Sequence, residues 1–286
     1  MKYNHQYNHY IEIKNLNENQ KKLSDSFSVH LPKVEEIGYL FRAELDKYVH
    51  NNEYESSLVS QKVFEKYKEN NFDSDDIYPI GMCFHITKAF CMFLKMSNYD
   101  FIHQYISLGG VFKIVWGNIR NEFFQTALQI GDFIVDVAND TVDINKPKVK
   151  ISRIGEIDFK NFTSFDEYIK VKESYHSCEI IINTYIPEIY DFAPLIERKN
   201  GEITFLYSYV LTYLIKEKNS IPTPNVKMLT KNEENLVCDY FNEKLIEKIK
   251  MINNPLMKEE TINNAIQFFN NVIAKKLKFK NKINMN

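Results

Sequence analysis

Glycine is scarce in this chain and unevenly spread: five of the 8 glycines in 286 residues fall between Gly81 and Gly131. A chain with so few residues free to take a positive φ can reverse sharply at only a few places, so the clusters mark its turns. Gly109-Gly110 separates the apolar run Phe101–Leu108 from Val111–Trp116, and Gly131-Asp132 separates Glu122–Ile130 from Phe133–Ala138. Two-residue links of this composition are hairpin signals. The spacing predicts a helix over 83–96 followed by an antiparallel meander over 101–138. With a two-residue turn at Gly131-Asp132, Ile130 pairs with Phe133 and the ladder brings Ala127 opposite Asp136. Gln125 and Asp136 are then diagonal neighbours on one sheet face. Phe124, Leu128, Ile130, Phe133, Val135 and Val137 fall on the other face, an apolar set suited to a core.

The flanking regions read more coarsely. Alternation of Tyr7, His9, Ile11 and Ile13 predicts a strand over 1–14. Val34, Ile37, Leu40, Phe41 and Leu45 recur at helical spacing over 33–51, and a second helical stretch covers 53–68. Strand-like runs at 148–151 and 179–185 surround a short helix near 165–171. After Pro194 the texture becomes helical, with stretches at 202–218, 231–252 behind a Thr230–Glu233 capping box, and 261–280. The expected fold class is α+β: a helix packed on an antiparallel sheet, with a domain over 1–194, then a helical C-terminal third over 195–286. Apolar stripes on that last region predict burial against the sheet domain or between chains, and a homo-oligomer, most simply a dimer.

Composition excludes several classes. A formal charge of -2 gives no support to nucleic-acid binding or to a polybasic membrane surface. The N-terminus lacks an apolar leader and no run of 18 apolar residues occurs, so the expectation is a cytoplasmic protein. Cysteines at 83, 91, 178 and 238 match no metal spacing and no dense disulfide framework. His5 and His9 on a strand would not converge on a metal, and no phosphate-binding glycine loop is present. No cofactor is implied.

The chemistry concentrates at Gly81-Met82-Cys83-Phe84-His85, where a loop becomes a helix. The dipole and free N–H groups of a helix N-terminus favour a thiolate, which a nucleophilic cysteine needs together with a base and an oxyanion site. The plainer alternative is that Cys83 is a small buried hydrophobe, like Cys91.

A Gly-x-Cys opening a helix, then strands, then Gly131-Asp132-Phe133-Ile134-Val135-Asp136 resembles the core of transglutaminase-like and papain-like thiol proteins. The resemblance covers about Pro79 to Asp140. It implies a Cys–His–Asp triad, with Cys83 matching the nucleophile and Asp136 the residue that orients the base. Gln125 stands where that group has its histidine, and glutamine cannot accept a proton. His85 lies about 200° around the helix from Cys83, while His103 and His176 are not placed by sequence. Two functions follow from the resemblance. One is a binding protein on a degenerate thiol-hydrolase-like fold, docking a protein partner or peptide. The other is an active cysteine acyltransferase, amidase or protease acting through Cys83, with Gln125 and Asp136 as positioning groups.

Overall fold

The computed structural model describes residues 12–51, 63–64, 78–186, 189–206, 208–223, 227–230, 259–268 and 270–271. The chain divides into two compact units, one spanning Ile11–Asn161 and one that takes up the chain from Phe162.

In the first unit, α1 (Glu18–Phe27) starts at a capping box in which Asn17 and Gln20 satisfy each other's backbone N–H groups. A 3-10 turn (Ser28–His30) leads into α2 (Leu31–Asn51), whose Val34, Ile37, Phe41, Leu45 and Tyr48 form the buried stripe. The helix predicted over 83–96 is α3 (Cys83–Met96). Next comes α4 (Asp100–Ser107), where glycine punctuation predicted a strand. The side chains decide otherwise, because Ile102 and Tyr105 are buried while Gln104 is exposed, a helical rather than an alternating pattern. Gly109-Gly110 is therefore a helix stop and not a hairpin. Gly109 takes φ 86, and the N–H of Gly110 returns to the carbonyl of Tyr105 at 3.0 Å. A Cβ on Gly110 would lie 2.4 Å from the Tyr105 ring, so only glycine fits the chain's close pass over that side chain.

The strands β1 (Phe112–Ile119), β2 (Phe123–Ile130), β3 (Phe133–Asp136), β4 (Lys150–Arg153) and β5 (Phe159–Lys160) form one antiparallel sheet in the order β4-β3-β2-β1-β5, curled into a half-barrel. The β2–β3 turn falls at Gly131-Asp132, with Ile130 opposite Phe133 and Leu128 opposite Val135, the register expected from sequence. Gly131 has φ 59. Leu128, Ile130, Val135 and Val137 share a core with Ile86, Phe90 and Leu94 of α3, which defines a helix face of the sheet. Val115, Ala127, Ile134 and Phe159 make a separate cluster on the second face.

The second unit contains α5 (Phe165–His176), capped by Ser164, and a three-stranded antiparallel sheet of β6 (Glu179–Ile182), β7 (Leu195–Lys199) and β8 (Glu202–Leu206), followed by α6 (Tyr209–Lys216). The expected helix over 202–218 is thus half strand. Asn200 and Gly201, both at positive φ, turn β7 back on β8, and alternate burial of Ile203 and Phe205 fits a strand. Residues 259–268 are helical, with Ile262 and Ile266 packed against a core that includes Ile181, Ile196 and Phe205. The expected helix over 231–252, most of that over 53–68 and residues 1–11 of the N-terminal strand lie outside the described residues. Residues 12–14 carry no regular secondary structure. No described helix is long and apolar enough to cross a membrane.

Candidate functional site

Cys83 opens α3, two residues after the left-handed Gly81 (φ 73), whose N–H donates to the carbonyl of Thr141. The thiol is 4 % exposed and points to Thr126 Oγ1 at 3.7 Å, while Thr87, one turn further along, donates to the Thr126 carbonyl at 3.0 Å. The α3 N-terminus is thus fixed to β2 at Thr126. The expectation of a lowered thiol pKa is reversed. Burial pushes the Cys83 thiol up, hydrogen bonding with Thr126 opposes this in part, and the charge of Asp136 adds a smaller push upward. Desolvation outweighs the helix N-terminus, and no cation is among the described groups that act on the thiol to compensate a thiolate.

Gln125 and Asp136 are brought together. Gln125 Nε2 donates to Asp136 Oδ2 at 2.8 Å and to the Ala138 carbonyl at 3.1 Å, and the Ala138 N–H donates to Asp136 Oδ1 at 2.9 Å. The pair is buried, at 2 % and 6 % exposure. Burial pushes the Asp136 carboxyl up to about 6, a shift limited by these two donors and by Arg42. Two acceptors on Gln125 Nε2 fix the orientation of its amide, which leaves Oε1 buried without a donor among the described residues.

Successive strand residues point to opposite faces. Thr126, which receives the Cys83 thiol, therefore belongs to the helix face, and Gln125 with Asp136 belongs to the second. Gln125 and Asp136 also line a cleft of about 640 Å³ beside β3 and β4, bounded further by Phe123, Ile134 and Lys150 of the sheet and by Tyr39 of α2. Cys83 is not part of its lining.

The described histidines are dispersed. His103 sits on α4 with Nε2 2.8 Å from the carbonyl of Ser97. Ser97 follows the last turn of α3, about 20 Å of helix from Cys83. His85 packs its ring against Phe84. His176 belongs to the second unit, where burial, Lys172 and Lys199 hold its pKa down at about 3. No histidine is among the described groups that act on the Cys83 thiol. Among the described residues, no three His, Cys, Asp or Glu side chains are grouped to hold a metal ion.

Two participants escape the sequence reading. Arg42 is fully buried on α2 and donates to the Val137 carbonyl at 2.6 Å and to both oxygens of Asp140 at 2.7 and 2.8 Å, which fastens α2 to the chain leaving β3. Burial works against its charge, yet hydrogen bonding to Asp140 and the nearby Tyr78 and Asp46 raise its pKa on balance. A cation beside the α2 apolar stripe was the available signal. Thr126 gave none, since a threonine in a strand is ordinary. Comparison with protein-family models, curated proteins and solved structures finds no match to this chain.

Proposed function

We propose that this protein is a binding protein, built on a helix-and-sheet scaffold resembling the thiol-hydrolase group, that docks a protein partner or peptide without using Cys83 as a nucleophile. The observation that carries this reading is the environment of Cys83: a buried thiol with a raised pKa, bonded to a threonine, with no histidine among the described groups acting on it. A thiol of that kind is protonated at neutral pH and lacks the base that acyl transfer needs.

Alkylation by iodoacetamide, located by mass spectrometry, tests the reading. Cys83 should label only at the rate of unfolding, with the urea-unfolded protein as the fast-labelling reference. Labelling of Cys83 at neutral pH as fast as a free thiol or faster would overturn it. The enzymatic reading retains one specific support, the placement of Cys83 at a helix start. Amide hydrolysis that disappears in Cys83→Ala would establish that reading instead.

A further inference from the structure

Residues 13 and 14 are bound to the second sheet face through their backbone. Gln129 Oε1 accepts the Lys14 N–H at 2.8 Å, and Gln129 Nε2 donates to the Lys14 carbonyl at 2.8 Å. Asn161 holds the preceding residue alike, accepting the Ile13 N–H at 2.8 Å and donating to its carbonyl at 3.5 Å. In an extended residue the N–H and C=O point to the same side, so one side-chain amide can take both. The Ile13 side chain packs against the cluster of Val115, Ala127, Ile134 and Phe159.

The receiving side of this contact is built independently of the segment it holds. Gln129 is fully buried, and its Nε2 also donates to the Gly131 carbonyl at 3.0 Å, which fixes the amide from within the sheet. Asn161 follows β5 directly. A Cβ on Gly117 would lie 2.3 Å from the Lys160 carbonyl oxygen, so glycine lets the chain that carries Asn161 pass this close to β1. The held segment is anchored less deeply. Residues 12–14 carry no regular secondary structure, Ile13 is partly buried and Lys14 is exposed. A partly exposed stretch outside regular structure is where local opening costs least. The capping box of Asn17 and Gln20 sets the start of α1 from residues beyond the segment, so its release leaves that helix intact. The vacated groove then presents two amide side chains beside an apolar cluster, the complement of an extended backbone with one apolar side chain.

We propose that residues 12–14 are an exchangeable strap over a peptide groove, and that the groove takes an extended segment of a partner polypeptide in their place. The chemistry of that partner follows from the contacts. Two successive residues must offer backbone N–H groups to Asn161 and Gln129, which excludes proline at both. The first of them carries a branched apolar side chain for the cluster that Ile13 fills. The second is unrestricted, as Lys14 is exposed. The charge of Glu12 acts on half-buried Lys113 of β1, which favours an acidic residue before the apolar one. This inference rests on the binding reading and gives it a site. Fast alkylation of Cys83 would remove that reading, whereas the measurements below bear on the strap alone and leave the thiol result untouched.

The test uses the full-length ¹⁵N-labelled protein and acetyl-Ile-Glu-Ile-Lys-amide, which copies residues 11–14. In the natural protein the strap competes from the same chain, at an effective concentration in the millimolar range. Ile13→Asp places a charge against the apolar cluster and should release the strap. That variant should bind the peptide saturably, with shifts at the Gln129 and Asn161 side-chain amides, at least about tenfold more tightly than the natural protein does. The depsipeptide with an ester oxygen in place of its lysine N–H should bind about tenfold more weakly, the loss of one buried hydrogen bond. On the natural protein, the Ile13 and Lys14 amides should exchange with deuterium at least about a hundredfold faster than those of Ala127 and Leu128, and millimolar peptide should speed them further. Exchange of Ile13 and Lys14 only at the rate of global unfolding, or untouched by the peptide, would overturn the proposal whether or not Ile13→Asp folds. The absence of saturable shifts in folded Ile13→Asp, or equal affinity for the depsipeptide, would overturn it as well.

Discussion

Arg42 carries a full charge at zero exposure, and its cost is offset chiefly by Asp140, which receives it through two parallel hydrogen bonds. Removing one partner of such a pair leaves an uncompensated buried charge, which costs about 3–5 kcal/mol. Arg42→Ala is therefore expected to lower unfolding free energy by that amount in urea, and an effect below about 1 kcal/mol would contradict the geometry. Asp136 supplies a pH signature. Its carboxyl titrates at about 6 in the fold against an ordinary 3.8. The fold thus favours the protonated form, and this contribution is complete below about pH 3.8 and lost as pH rises through 6. The difference corresponds to about 3 kcal/mol. Between pH 4 and 6.5 the natural protein should lose roughly that much stability relative to Asp136→Asn, read from parallel urea transitions. Parallel pH dependence in the two proteins would remove the assignment.

Among the elements, α4 exposes how one signal can carry two meanings. A Gly-Gly pair can close a hairpin or stop a helix, because both require positive φ. What separates the two here is packing: Ile102 and Tyr105 fall on one helical face and enter the core beside Phe27. Gly110→Ala would drive a methyl group into the Tyr105 ring. Overpacking of this kind costs about 1–3 kcal/mol, so the variant should unfold at correspondingly lower urea, with the loss relieved in Gly110→Ala/Tyr105→Ala relative to additivity. An additive double mutant would mean that the two residues do not meet.

For the whole molecule, the division near Asn161 gives a unit with a core of its own, drawn from α1 to β4. Residues 11–161 are expected to fold alone, with a cooperative urea transition and with Cys83 protected from alkylation as in the full chain. A fragment in which Cys83 labels at the rate of an unfolded peptide would show that the unit depends on the rest. The helix at 259–268 already buries Ile262 and Ile266 inside the second unit. That part of the C-terminal stripe is satisfied within the chain, and sedimentation across a dilution series will measure whether the remainder joins two copies.

Local chemistry and alternation were enough to place α3 from Cys83, the turn at Gly131-Asp132, the β2–β3 register and the meeting of Gln125 with Asp136. Each of these depends on neighbours within about a dozen residues, where hairpin geometry and strand periodicity leave few alternatives. The helix at 100–107 and the strand at 202–206 were misread because their sequences suit either state, and the choice fell to which side chains the core accepts. Only the tertiary structure decided the surroundings of Cys83. Its helix position promised a reactive thiolate, but α3 docks so that the sulfur meets Thr126 on one face of the sheet while Gln125 and Asp136 turn to the other. Helix start and strand parity are written locally, whereas the depth at which a thiol is buried is set by how distant elements pack, and burial determined its charge.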